Sequence, residues 1–440
     1  MRRPVRSLLA LGAVLAACDR GAAPAPSATP ASTTATPAAL ARAAEVSRAE
    51  IERLQALGYV DVAAEPVQDG RSGVVVHDTA RSYPGYNLFT NAHLCSTQLL
   101  DPAGKVVRTW SLAPCFRWDN TSLFPNGDLL VVGRGTKPAK GNADGDTGWA
   151  AGRYVARLGW NGEVIWKTPL GAHHDAHVTP RGEIAVLTAS RRAVPEVDEK
   201  RRMKDDALTL LTGGGETIAE ASLYDLLKTA PAEQFRFQPR TQGRGHLDLL
   251  HANSVFWMAD PQLAARDPLY APSNVVVTIR HQDTVAVIDW EAKKVVWAWG
   301  QGEISGPHDA VVLPSGNLLV FDNGLGRRWS RIVEVDPKTR QIVWQYRAPE
   351  PESFYTQTRG ANQRLPNGNT LIAQSDSGRA FEVTPAGEIV WEFLNPNLSE
   401  GKRGALVRMR RIEPSVVEAW LARAGGGQSP PAATAAVAAH

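Results

Sequence analysis

Cysteine is scarce in this chain, with only Cys18, Cys95 and Cys115 in 440 residues, and nothing catalytic follows from so few. A surplus of one charge is also missing. Lys and Arg number 48 against 45 Asp and Glu, so no basic face points to nucleic acid. Long apolar runs are lacking too. Leu8 to Ala17 is too short to span a bilayer as a permanent helix, and no later stretch is apolar enough to do so. Between residue 19 and roughly residue 45 aromatic residues almost vanish, and such a segment cannot bury enough surface to fold.

The first residues set the expected compartment. Arg2, Arg3 and Arg6 precede the apolar run, which reads as an export signal. It ends Leu15-Ala16-Ala17-Cys18, which resembles the bacterial lipobox, with Cys18 as the lipidated residue; a plain secretory signal is the alternative. Asp19 resembles an inner-membrane retention signal, but which membrane holds the anchor stays open. The expected organisation is a signal over 1–17, then a lipid-anchored Ala/Pro/Ser/Thr tether with a short helix (Leu40 to Leu57) over 18–70. A large folded unit follows over 71–415, and a low-complexity tail over 416–440. The protein is thus expected on the periplasmic side of a membrane. Cys95 and Cys115 read either as a disulfide, suited to an oxidising periplasm, or as two buried thiols.

What the chain does contain is repetition. A Gly- or Asp-bearing turn, alternating β-branched residues and a tryptophan recur as Asp101 to Trp110, Asn161 to Trp166, Asp289 to Trp297, Asp336 to Trp344 and Thr384 to Trp391. A weaker copy, Gly213 to Ile218, lacks the aromatic and brings the count to six. A second unit, a Pro-x-Gly turn and a short apolar strand, follows most of the first: Phe124 to Val132, Thr179 to Leu187, Leu313 to Phe321 and Leu365 to Ile372. Pro and Gly supply the turn dihedrals and the alternation supplies paired antiparallel strands, with no helical period between. One four-stranded sheet cannot bury both of its faces alone, whereas radial packing can. The reading is all-β, a six-bladed β-propeller of four-stranded antiparallel blades, with the tryptophans between blades.

Aligning the second unit on its glycine places Asp119, His174, His308 and Gly360 at one position, eight residues upstream. The copy with the long insertion offers His251-Ala-Asn-Ser254 at its strand start. In a propeller this position begins the innermost strand and faces the axial channel, so distant histidines become one cluster. Such imidazoles suit either a metal, with Asp119, Asp175 or Asp309 as partners, or an oxyanion held with the guanidinium of Arg280. The second reading is preferred, and neither metal nor cofactor is expected. His174 is preferred over its neighbours His173 and His177. His281, next to Arg280 on the strand, is expected on the opposite face. Asp309 is a minor candidate to orient His308. His77, His93, His246 and His440 read as surface or capping groups, and Arg191 to Asp206 as a charged loop.

Here a family resemblance enters. His251-Ala-Asn-Ser254, Thr278-Ile-Arg-His-Gln282 and Gly306-Pro-His-Asp-Ala310 resemble bacterial arylsulfate sulfotransferases. So do Gly85 to Phe89, His173-His-Asp175 and Leu313 to Gly324, in the same order over roughly residues 71 to 412. The resemblance implies a periplasmic six-bladed propeller that moves a sulfuryl group from an aryl sulfate to a phenol without a nucleotide donor. It implies His308 as the nucleophile forming a transient sulfohistidine, His251 and Arg280 as sulfate-binding groups, and His174 as a binding or acid–base group. Asn253 is a candidate substrate contact, as are the aromatic residues Tyr86, Trp118 and Tyr355, with Tyr83 and Trp257 behind them. Attack by a neutral imidazole predicts activity falling on the acid side near ~6.5 before local shifts. Competing readings are a ligand- or protein-binding propeller without chemistry and, further off, a quinone-dependent dehydrogenase. Oligomeric state is not legible.

Overall fold

The computed structural model describes residues 61–91, 94–136, 150–239 and 246–426. The expected signal, Cys18, most of the tether, His93, His440 and the end of the tail lie outside the described residues.

Each Pro-x-Gly unit closes a hairpin. Gly127 N–H donates to Phe124 O and Gly316 N–H to Leu313 O, with φ of 90° and 95°, a conformation glycine reaches without a Cβ penalty. The flanking strands pair antiparallel, as Leu123 with Leu129 and Val312 with Leu318. Six sheets of four or five strands result; the second, third, fifth and sixth begin on the strand before such a turn, whereas the first and fourth do not. The second runs Arg117–Leu123, Leu129–Arg134, Arg153–Leu158, Val164–Pro169, and the fourth and fifth, starting at Ala252–Trp257 and His308–Val312, follow the same order. The first sheet instead takes its inner strand, Leu406–Ile412, from the end of the chain and pairs it with Tyr86–Asn91. The sixth adds Gly73–His77 outside its own four strands.

The six inner strands touch in series and close a ring. Arg117–Leu123 packs on Ala172–Val178, then come Ala252–Trp257, His308–Val312, Ala361–Arg364 and Leu406–Ile412, which returns to the first. The outer strands are tied as well. Trp110, Trp166, Trp297, Trp344 and Trp391 donate Nε1–H to carbonyls in the next sheet, at Gly159, Gly213, Pro337, Pro385 and Pro102. Trp391 to Pro102 joins the sixth sheet to the first. The sheet built on the weak repeat has no such tryptophan. Its gap is filled by a short helix, Leu223–Leu227, whose Leu223, Leu226 and Leu227 pack with Trp290 of the next sheet.

Three boundaries differ from the sequence reading. Val62–Pro66, assigned to the tether, is a strand paired with Lys402–Gly404. Pro414–Gly426 is a helix crossing the boundary placed at residue 416; Val417 and Trp420 are buried against the first two sheets, and Trp420 Nε1–H reaches Pro125 O. Alanine-rich composition had hidden that anchor. Finally, the charged segment Arg191 to Asp206 is a loop only over residues 193–201; its two ends belong to the strands Ile184–Arg192 and Arg202–Leu211, where Lys204 and Asp206 are buried. Cys95 and Cys115 form a disulfide. No helix among the described residues is long and apolar enough to cross a membrane.

Candidate active site in the central channel

One cavity opens among the inner strands, lined by Asp119, Asn120, His174, Asn253, His308, Arg359, Gly360, Val407 and Arg408. The four residues aligned eight positions before a turn glycine are all on its wall. A fixed hairpin length gives each strand start the same height in the ring. Register shifts interrupt the pairing just there, between Trp118 and Asn120, Ala172 and Ala176, Ala252 and Ser254, and His308 and Val311. His174, His251 and Asp309 adopt φ of 60°, 51° and 48° at these irregularities. Such backbone is uncommon for residues with a side chain and clusters at functional sites.

His308 is held from behind. Its Nδ1 lies 2.7 Å from Asn323 Oδ1 and 3.1 Å from Gly306 O. Asn323 spends its amide N–H groups on Thr356 O and Arg359 O, so its Oδ1 is an acceptor. Both neighbours of Nδ1 therefore accept, Nδ1 carries the proton, and Nε2 keeps its lone pair. That Nε2 is buried and has no hydrogen-bond partner in the protein. Burial and the charge of Arg280 push the imidazole down to about 3, against the hydrogen bond to Asn323. The expected acid limit near 6.5 is thus displaced well downward.

His251 and Arg280 stand just behind the lining. The His251 ring is 4.9 Å from that of His174, and its Nδ1 is 2.5 Å from Asp248 Oδ2. Burial lowers it to about 4 although Asp248 opposes the shift. Arg280, buried, donates Nη2 to Gln357 O at 3.1 Å, and its Nη1 lies 3.2 Å from His281 Nε2. His281 corrects the sequence reading. The strand stops at Ile279, Arg280–Gln282 form a single helical turn, and alternation no longer applies. The His281 ring sits 4.5 Å from that of His251, on the same side. Of the three neighbouring histidines, His174 faces the cavity. His173 is fully buried, 3.0 Å from Asp206, and His177 Nδ1 accepts the backbone N–H of Trp257, its ring beside Phe256.

Several candidates lie elsewhere. Asn253 lines the cavity and donates to Pro307 O. Trp118 does not: it is fully buried between sheets and donates to the Tyr154 hydroxyl, because a large apolar ring at a strand end gains more from the inter-sheet core. Trp257 is likewise buried, with its N–H on Pro272 O. Tyr86 packs on the core formed by Leu88, Trp110, Trp118 and Ile412, Tyr83 bonds Glu413, and Tyr355 sits in the loop after Pro351–Ser353; none is on the cavity wall. Asp309 does not orient His308. Its carboxylate takes Arg410 and Arg408 at 2.7 and 3.1 Å.

The carboxylates once offered to a metal are thus paired with arginines: Asp119 with Arg153, Asp175 with Arg408, Asp309 with Arg408 and Arg410. Asp248, His251 and His281 do bring ligand atoms within 4.8 Å of one another. Lys204, 3.7 Å from Asp248, and Arg280 flank that set, and its Nδ1 atoms already bond Asp248, so it suits a proton network better than a cation. Arg408 is the main lining residue that sequence reasoning missed. It comes from the sixth inner strand, which no Pro-x-Gly turn follows, so the register could not flag it.

The arrangement supplies a proton-free imidazole nitrogen in a cation-rich pocket, which fits attack on an anionic electrophile and stabilisation of negative charge. Among solved structures, the chain is similar to a Bacteroides caccae protein of unknown function (TM-score 0.48, 12% identity, 74% of this chain and 98% of that one). It is similar also to Staphylococcus aureus virginiamycin B lyase (TM-score 0.41, 10% identity, 75% and 87%) and to Kuenenia stuttgartiensis hydrazine synthase (0.43, 14%, 74% and 80%). None of the curated proteins compared with the chain matches it. Residues 100–396 match the arylsulfotransferase (ASST) family over two thirds of the sequence, and the chain belongs to that family.

Proposed function

We propose that the protein is a nucleotide-independent aryl-sulfate sulfotransferase that works through a sulfohistidine at His308. The observation that carries this reading is the His308 tautomer: Asn323 and Gly306 hold the proton on Nδ1, leaving the Nε2 lone pair buried beside the cavity. In the donor step that lone pair forms the N–S bond, the S–O bond breaks, and its electron pair leaves with the phenolate. In the acceptor step the oxygen of a second phenol attacks sulfur, its proton passes to a base, and the N–S pair returns to Nε2. Arg280 holds the sulfuryl oxygens and Asn253 orients the donor, so charge on them is met by groups already in place; His251, neutral with its proton on Nδ1 toward Asp248, has no N–H for those oxygens and packs against His174 instead. His174 is the base.

The six sheets read as the blades of a six-bladed propeller, and the ring of inner strands supports this. The Leu15-Ala16-Ala17-Cys18 sequence supports export and a lipid anchor on the periplasmic side of a membrane. Substrates are aryl sulfates and phenols, as the family implies. The test is turnover of nitrophenyl sulfate with and without an acceptor phenol, with digestion and weighing of enzyme quenched before acceptor is added. A sulfuryl mass on the peptide bearing His308, and loss of both mass and turnover in His308→Ala, is the expected result. An active His308→Ala variant, or a wild type that is inert with every aryl sulfate, overturns it.

A further inference from the structure

Joined to the cavity residue His174 through His173 is a charge cluster that the reaction above does not use. Lys204, only 1% exposed, sits on the third sheet's strand Arg202–Leu211 between two carboxylates. Its Nζ is 2.7 Å from Asp206 Oδ1 and 3.7 Å from Asp248 Oδ1. Asp206, fully buried, faces His173 Nε2 at 3.0 Å and accepts the Ala252 N–H at 3.1 Å, next to His251. His173 Nδ1 then meets His174 Nδ1 at 2.5 Å. Asp248 in turn holds His251 Nδ1.

A carboxylate only accepts, so His173 carries its proton on Nε2. Burial, reinforced by Lys204, holds His173 below the usual imidazole range and keeps it neutral, so its Nδ1 can only accept. His174 must then donate from Nδ1. His174 is also neutral, held well down by burial and by His173 and His251, which leaves its Nε2 without a proton. For Asp206 burial raises the carboxyl, but Lys204 and His173 outweigh it and keep it ionised.

We infer that Lys204 and Asp206 are positioning residues whose chain through His173 fixes the tautomer of His174, making His174 Nε2 the base that takes the proton of the acceptor phenol. The inference rests on the transferase reading. When the phenol oxygen bonds to sulfur and the N–S bond breaks toward His308, the phenol proton ends on His174 Nε2. The imidazolium so formed is stabilised along the chain by the Asp206 carboxylate and, held well below the usual imidazole range by burial, it passes the proton on to solvent before the next donor binds. Lys204 offsets the cost of burying Asp206 and, 3.7 Å from Asp248, steadies the carboxylate that holds His251 Nδ1. His308 is oriented separately, by Asn323, so the two half-reactions have separate supports.

Rapid mixing of the full chain with nitrophenyl sulfate reads the donor step as a burst of nitrophenolate, and added phenol reads the acceptor step. In Asp206→Asn, which keeps shape but lets the amide donate to His173, the acceptor step falls at least about a hundredfold more than the burst does. Lys204→Met lowers the acceptor step, and Lys204→Arg recovers most of it. Absence of a burst in the wild type would sink the transferase reading itself; a wild-type burst with both steps equally slowed, or neither, in Asp206→Asn overturns the relay alone. Imidazole ¹⁵N shifts of the unmodified protein decide the matter even if a variant fails to fold. His174 protonated on Nδ1 supports the relay, and His174 protonated on Nε2 overturns it.

Discussion

At the scale of single residues, the site is a problem in where protons are not. Three imidazoles, His174, His251 and His308, each turn Nδ1 outward to a protein partner, and burial keeps them neutral. Protonation would disable attack, but His308 stands at about 3 and His251 at about 4. The kcat/KM of the folded enzyme is therefore expected to stay level from pH 8 to about pH 5 and to fall only below that, in place of a fall centred near 6.5. A limb centred near 6.5 in protein verified as folded contradicts the burial argument. Stability behaves differently. Between these lowered values and about 6.5 the unfolded chain binds protons that the folded imidazoles do not, so stability drops as pH falls through that window. Circular dichroism at each pH separates the two effects. Asn323→Leu removes the acceptor that fixes the His308 tautomer; kcat is expected to fall about 10²–10⁴-fold with little change in KM. Equal kcat in the variant would show that the bond is dispensable.

At the scale of strands, the channel depends on ties between elements that face each other across the ring. Arg408, on Leu406–Ile412, joins Asp175 and Asp309 at 3.2 and 3.1 Å, and these carboxylates directly follow His174 and His308 in sequence. The guanidinium therefore sets the spacing of the two histidine-bearing strands. Arg408→Met leaves both carboxylates less compensated in a buried site and is expected to cost about 3–5 kcal/mol. Denaturant unfolding checks this, and a loss under about 1 kcal/mol would mean Arg410 alone suffices. The same comparison explains what the sequence made legible. His174 and His308 could be found because a turn glycine sits a constant eight residues after each, and hairpin geometry turns constant spacing into constant height. Arg408 could not, since its hairpin partner is Tyr86–Asn91, far away in sequence. Lys204 and Asp206 were hidden by composition: a run of charges reads as solvated surface unless its partners are known, and those partners, His173 and Asp248, lie on other elements. The aromatic candidates failed for the opposite reason. Trp118 and Tyr86 were chosen by residue type, and residue type alone does not separate an inter-sheet core from a pocket wall.

At the scale of the whole molecule, repetition supplies the ring and its exceptions supply the chemistry. Five tryptophans reach five neighbouring turns by the same hydrogen bond, while the sixth interface, where the repeat degenerates, holds the Leu223–Leu227 helix and the Lys204 cluster. The disulfide between Cys95 and Cys115 fastens the first sheet to the lead-in of the second. By loop entropy such a link contributes about 3 kcal/mol. Reduction is therefore expected to lower the midpoint of urea unfolding while leaving the cavity residues in place, and an unchanged midpoint under reductant would show that core packing alone holds this seam.

The join between the first and sixth sheets has a consequence for how the molecule comes into being. Among the described residues Leu406–Ile412 is the last strand made, yet it lies innermost beside Tyr86–Asn91, among the first made, and it carries Arg408 into the cavity. Until that strand arrives, a growing polypeptide has five complete sheets, an unpaired edge on the first, and a cavity wall that lacks Val407 and Arg408. The cavity wall is thus completed only by this strand, and a chain ended at residue 404 is expected to stay open at this seam, to self-associate and, on the proposed function, to lack turnover.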